Sequence, residues 1–198
     1  MINQTKNFVF AIAALAVGVI GSTSVQAQTQ NILVEATVSN TLTLGGTNMN
    51  FGTFAMFSDT TETATVTIDV AGNVTAAASG TPAAAAVIDD TTAAAGQVTI
   101  ADGAPGATLN ITIDNVTDPT NGADTLVLDG FTTSYNGVTP AVPQTIGAAF
   151  TVTFDDTFGS GVNTLDIGAT LTSPTAAVGA LSDTPGLYSG DFDVIVSY

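Results

Sequence analysis

The feature that most restricts this chain is the alternation of apolar and polar residues along short runs. Ile32, Val34, Ala36 and Val38, continued by Leu42 and Leu44, share one side, with Glu35, Thr37, Thr41 and Thr43 on the other. Phe51, Thr53, Ala55 and Phe57 make a second set, Ala64, Val66, Ile68 and Val70 a third, and Leu109, Ile111 and Ile113 a fourth. Phe150, Val152 and Phe154 follow, then Leu165, Ile167, Ala169 and Leu171, then Phe192, Val194, Val196 and Tyr198. A period of two places one face of a strand on a core and the other in water, whereas a helix needs a period of 3.6. Threonine fills many of the outward positions. Its β-branch suits a strand, and its hydroxyl keeps that face wet without charge.

Turn-forming residues punctuate the runs: Gly45-Gly46, Ala71-Gly72-Asn73, Asp102-Gly103, Pro119-Thr120-Asn121-Gly122, Gly159-Ser160-Gly161 and Pro185-Gly186. Many short strands without intervening helices predict a sandwich or barrel. The alanine-rich stretches at 76–78, 83–86 and 93–95 are broken by Gly80, Pro82 and Gly96, so they read as loops or tightly packed strand segments rather than helix. The expected architecture is all-β: a single, mostly antiparallel, Ig-like β-sandwich over residues 28–198. No internal repeat or second domain is evident.

The first residues have a different character. Lys6 precedes an apolar run from Phe8 to Ile20, and Val25-Gln26-Ala27 follows Gly21-Ser22-Thr23-Ser24. This is the order of a secretory signal with small residues at its cleavage site, so residues 1–27 are expected to be removed after Ala27. A run of about 13 residues falls short of the ~20 needed to cross a bilayer. The processed chain is therefore expected to be secreted, extracellular or at the cell surface, and not inserted in a membrane.

Charge excludes whole classes of function. The sequence holds 17 acidic residues and one basic residue, with no His, Cys or Trp. Once Lys6 is gone, no cationic side chain remains. Phosphates cannot be neutralised, which excludes nucleic acid as a partner. Ser-His-Asp and Cys-His constellations and Schiff-base lysines are absent, so no catalytic residue is nominated. Paired carboxylates could hydrolyse sugars, but no Trp is present to stack on a ring and no basic group to orient one. Asp118, Asp124, Asp155 and Asp156 are the candidate ligands for calcium, a hard cation that prefers oxygen. The EF-hand pattern is missing, and Asp beside Gly, Thr or Pro more simply stabilises turns, so no cofactor is otherwise expected. Asn73-Val74-Thr75, Asn110-Ile111-Thr112 and Asn115-Val116-Thr117 match sequons as by-products of an Asn- and Thr-rich composition.

Three stretches read together. They are Met49-Asn50-Phe51-Gly52-Thr53-Phe54-Ala55, then 104–112, then Ile167 to Leu171 through the ending Pro185-Gly186-Leu187-Tyr188-Ser189-Gly190-Asp191-Phe192-Asp193-Val194-Ile195-Val196-Ser197-Tyr198. In these the chain resembles the secreted bacterial family called domain of unknown function 4402. More distantly, the ending is similar to spore coat protein U-like and chaperone–usher pilin domains. The resemblance implies an Ig-like sandwich, secretion and surface assembly, and it carries no catalytic residues. The chain departs from many of those relatives in lacking a Cys pair.

The two ends of the processed chain are the expected assembly elements. Tyr188, Phe192, Val194, Val196 and Tyr198 share one parity of a C-terminal strand that could border a groove awaiting another strand. Residues 28–38, with Ile32, Val34, Ala36 and Val38 on one face, are the candidate donor strand, pairing within their own domain or in a neighbour. The expected function is a structural subunit of a pilus-like filament or coat, a homo-oligomer with an export chaperone as a candidate partner. The alternatives are a monomeric adhesin or calcium-dependent carbohydrate-binding module and, less favoured, a carboxylate-based glycosidase.

Overall fold

The computed structural model describes residues 41–58, 61–80, 83–122, 124–173 and 185–198. Residues 1–27 and the candidate donor 28–38 lie outside the described residues. The first half of the chain forms β1 (Thr43–Thr47), β2 (Thr53–Phe57), β3 (Ala64–Ile68), β4 (Val74–Ala78), β5 (Ala84–Asp89) and β6 (Gly96–Ala101). The second forms β7 (Thr108–Thr120), β8 (Val127–Tyr135), β9 (Val142–Pro143), β10 (Ala149–Thr153), β11 (Asn163–Thr172) and β12 (Ser189–Ser197). Phe158–Ser160 adds one 3-10 turn, so the described chain is all-β.

Every strand pairing is antiparallel. The large sheet runs β1-β6-β11-β3-β4, with β8 also on β11 and β9 on β8. Leu165 of β11 faces Val98 of β6 on one side and Tyr135 of β8 on the other, so β11 is central. A second sheet has the order β10-β7-β12, and β2 and β5 form a separate ribbon. The two main sheets enclose one core in a sandwich. Ile100, Leu165, Ile167 and Leu171 from the first meet Leu109, Ile111 and Ile113 from the second. Phe131 of β8 packs edge-on against Phe192 of β12, with ring centroids 5.1 Å apart and an interplanar angle of 67°. That geometry is favourable for two aromatic quadrupoles.

Alternation predicts burial well where strands are regular. Ala64, Val66 and Ile68 are fully buried while Thr65 and Thr67 are not, and β11 buries Leu165, Ile167, Ala169 and Leu171. It fails at bulges. In β2 the expected inward set Thr53 and Ala55 is exposed, and Met56 is buried with Phe54 half-buried. The left-handed Gly52 (φ 72°) and a register shift between Thr53 and Phe54 rotate the strand, so Phe51 and Phe54 both turn inward. β8 escapes the sequence pattern altogether, although Phe131 is the largest fully buried side chain. Gly130 (φ 60°) lies in a bulge opposite Ala169, and the buried parity switches there from Leu126 and Leu128 to Phe131 and Thr133.

One expected turn is instead strand. Gly45-Gly46 lies inside β1, paired with Thr99 and Val98 of β6, where ladder pairing overrides local turn preference. Pro119-Thr120 ends the long β7 and Asn121-Gly122 makes the expected turn, with the Asn121 amide donating to the Asp124 carbonyl at 3.2 Å and Gly122 at φ 88°. Ala76–Ala78 belong to β4 and Ala84–Ala86 to β5, so these stretches are strand rather than loop or helix, but only Ala76 and Ala85 among them are even half-buried. Side-chain hydrogen bonds hold the connections. Asp69 Oδ1 accepts from the amides of Ala71 (2.8 Å) and Asn73 (2.9 Å) to close the β3–β4 turn. The fully buried Asn163 accepts at Oδ1 from Tyr135 Oη, Asn136 Nδ2 and the Asp155 amide, at 2.8, 2.8 and 3.0 Å. Its Nδ2 donates to the Asp155 carbonyl at 2.8 Å, so one amide pins β8, β11 and the exit of β10.

Candidate strand-accepting groove

The C-terminal strand is half-buried on alternate residues. Phe192, Val194 and Val196 pack against the core, and Asp191, Asp193 and Ile195 face outward. Tyr188, just before it, also packs inward. Tyr198 does not continue that face into the core. It is about half exposed, and its hydroxyl accepts a 3.1 Å hydrogen bond from the Ala104 amide, tying the chain end to the loop after β6. Among the described residues β12 pairs only with β7, and β1 only with β6. Among the described residues, each therefore has one edge without a ladder.

Those two edges flank a cavity of about 660 Å³. Leu44 to Thr47 of β1 form one rim, and Gly190, Phe192 and Val194 of β12 form the other. Val98, Leu128 and Ile167 lie beneath, on β6, β8 and β11. Gly45 and Gly46 leave the β1 rim as bare backbone, and the whole of β1 is exposed. A second cavity of about 600 Å³ continues beside β2, between Phe54 and Met56 on one flank and Leu187 and Tyr188 on the other. Phe51 and Pro119 line both cavities and so stand between them.

From the first cavity to the second, residue numbers rise along the β1–β2 flank and fall along the C-terminal flank. The flanks therefore run in opposite directions. An extended segment laid between them would be antiparallel to one and parallel to the other. Asn50 positions Phe51 at the junction. Its amide and carbonyl bond Ala94 at 2.8 Å each, and its Oδ1 accepts from the Gly52 amide at 2.9 Å.

The candidate metal ligands are not brought together. Asp118 lies near the end of β7, and its Oδ1 accepts the Leu128 amide at 2.9 Å. The Asp124 carbonyl accepts from Thr120 Oγ1 and its amide donates to Asn121 Oδ1, both at 2.9 Å, within one turn. Asp155 and the exposed Asp156 follow β10, whose last residue Thr153 pairs with Thr108 at the opposite end of β7. Asp155 accepts from Thr157 Oγ1 (2.6 Å) and the Thr157 amide (2.9 Å), and these bonds hold its carboxyl below the usual carboxylate range. Among the described residues no three carboxylates are close enough to hold a metal ion.

Residues 39–198 match the family described as "Domain of unknown function (DUF4402)". The chain belongs to that family. No curated protein and no solved structure matches it. Within this DUF4402 chain, the early Asn50-Phe51-Gly52-Thr53 and the ending Pro185 to Val194 meet at the same groove. Of the residues expected to act in assembly, Tyr188, Phe192 and Val194 line it, whereas Val196 and Tyr198 do not line either cavity. Ile32, Val34, Ala36 and Val38 lie outside the described residues. Sequence reasoning missed Pro119, Val98, Leu128 and Ile167 as groove residues. Alternation marks them as inward or leaves them unmarked, and nothing in it says which inward residues lie under a sheet edge.

Proposed function

We propose that this protein is a secreted structural subunit that joins to its own kind by strand exchange, building a filament or coat at the cell surface. The observation that supports the reading best is the groove itself. Two strand edges without ladders among the described residues flank adjoining apolar cavities, and the early and terminal motifs converge there. The donor is residues 28–38 of a neighbouring copy. Ile32 to Val38 span roughly 20 Å when extended, well within the roughly 30 Å of a nine-residue β12. Burying four alternate apolar side chains contributes several kcal/mol at ~25 cal/mol per Å², and two backbone edges add ladder bonds. The secretory reading of residues 1–27 places this assembly outside the cell.

The test compares the secreted full chain with one lacking residues 28–38, by size-exclusion chromatography and electron microscopy. The full chain forms ordered polymers and the shortened chain stays small. An assembly size unaffected by the deletion contradicts strand exchange through this segment, and a full chain that is monomeric at all concentrations points to a solitary binding module.

A further inference from the structure

The chain carries two Asn-Gly pairs, Asn121-Gly122 and Asn136-Gly137, one on either side of β8. An Asn-Gly pair can react with itself. The glycine nitrogen attacks the asparagine Cγ, and the new C–N bond closes a five-membered succinimide. Nδ2 takes up the proton from the glycine nitrogen and leaves as ammonia. Water then opens the ring at either carbonyl, giving aspartate or isoaspartate. Glycine favours the attack because it has no β-carbon in the way. By that criterion the two pairs are alike. Gly122 (φ 88°) and Gly137 (φ 72°) are both exposed, and a β-carbon on either would meet nothing within 4 Å.

The asparagines differ. Asn136 Nδ2 donates to Oδ1 of the fully buried Asn163 at 2.8 Å, and its Oδ1 accepts the Thr164 amide at 2.9 Å. Its side chain is thus tied across to β11, and those bonds must give way before Cγ can turn to the following nitrogen. Asn121 keeps its side-chain carbonyl within its own turn. Oδ1 accepts the Asp124 amide, three residues on, at 2.9 Å, and the Gly122 amide donates to Thr120 Oγ1 at 3.0 Å. The attacking nitrogen therefore has an acceptor for its proton, and the oxygen that becomes anionic during attack has a donor.

We propose that Asn121-Gly122 is a self-modification site, converted to aspartate or isoaspartate with water as the only co-reactant, while the fold spares Asn136-Gly137. A β-carbon on Gly186 would lie 3.6 Å from Asn121 Nδ2, so this side chain sits beside the Pro185-Gly186 stretch that leads to β12. Conversion replaces an amide there with a carboxylate, in a chain with no basic side chain after Lys6 to neutralise it. Older copies thus differ from new ones by one negative charge near the entrance to the last strand.

The experiment incubates the full chain at mildly alkaline pH, folded and in urea. Both sites are followed by chymotryptic mapping, with fragmentation that separates aspartate from isoaspartate. In urea the two sites gain the mass of an NH2-to-OH exchange at rates within about threefold of each other. In the folded chain Asn121 converts roughly tenfold or more faster than Asn136, the scale of two bonds to β11 that only Asn136 must release. Thr120→Val removes the acceptor and slows Asn121 by roughly threefold or more, leaving Asn136 unchanged. Equal rates at the two sites in the folded chain, or conversion of Asn136 first, overturn the assignment. An Asn121 rate indifferent to Thr120→Val contradicts the part given to the turn.

Discussion

β11 and β12 carry the same alternating signature, yet they occupy opposite situations. β11 is held by β6 and β3 along one side and β8 along the other, and buries Leu165, Ile167, Ala169 and Leu171 almost completely. β12 is held only by β7 among the described residues, and its inward residues are half-buried beside an open groove. Periodicity reports which face of a strand turns inward. It does not report how many neighbours the strand has, and an unused edge is what a partner strand requires.

The contrast can be broken most forcefully at the centre. Leu165→Ala removes a fully buried side chain with little room to collapse, and a loss of about 2–5 kcal/mol is expected in urea unfolding. Val194→Ala, on the groove side of β12, should cost about 1 kcal/mol or less in the isolated chain, and under the proposed strand exchange, in which the incoming strand packs on Val194, it weakens assembly by roughly tenfold. If Val194→Ala lowers stability as much as Leu165→Ala and leaves assembly intact, the two strands are equivalent and the distinction fails.

Next in size is Asn163→Ala, which leaves the Tyr135 hydroxyl and the Asp155 amide and carbonyl without their buried partner. A loss of about 1–3 kcal/mol is expected. Tyr135 extends this to pH. Burial, and then the negative charge of Asp155, push its phenol up to about 12. The neutral phenol is favoured in the fold, so its contribution is complete below the unfolded value of about 10 and is lost as pH rises toward 12. Tyr135→Phe should flatten the alkaline limb of the stability profile between those values. A limb of unchanged slope would assign it to another group.

The turns outside this contrast respond in the opposite sense. Burial pushes the Asp69 carboxyl up, but hydrogen bonds from the Asn73 side chain and from the turn amides outweigh it, and the net shift is downward. The Asp155 carboxyl is lowered first by the Thr157 hydroxyl. Their contributions are present above the ordinary carboxylate value of about 3.9 and disappear as pH falls through the lowered folded values. Asp69→Ala should destabilise at pH 7 by about 1 kcal/mol and have little effect near pH 2. An equal loss at both pH values would remove the carboxylate from the explanation. The smallest effect is general: with no cationic side chain beyond Lys6 to relieve repulsion, the melting temperature should rise by a few degrees from very low to moderate salt.

The sandwich was legible because β3, β10, the Leu109–Ile113 stretch of β7 and the inward residues of β11 alternate plainly in the sequence, although the β7–β12 and β11–β8 ladders carry register shifts. β8 was not, since the left-handed Gly130 switches its inward parity between Leu128 and Phe131, and an eye tuned to period two reads that as irregularity. β2 was read with the wrong face for the same reason, at Gly52. Of the groove, Phe192 and Val194 were legible as inward residues of the last strand. Phe51 was legible as an inward residue and Pro119 as a turn former, but neither as lining the groove, because the groove arises where β1, β7 and β12 meet, and these lie far apart in the chain. The aspartates drew notice as oxygen-rich pairs, and local amides account for Asp118 and Asp155.

Amide hydrogen exchange along β12, read in dissociated subunits and in the assembled material, tests strand exchange most directly. Amides of Ser189 to Ser197 that face away from β7 should exchange rapidly in the subunit and become strongly protected on assembly, together with those of residues 28–38. Identical protection in both states, with assembly otherwise intact, would show that subunits meet through some other surface.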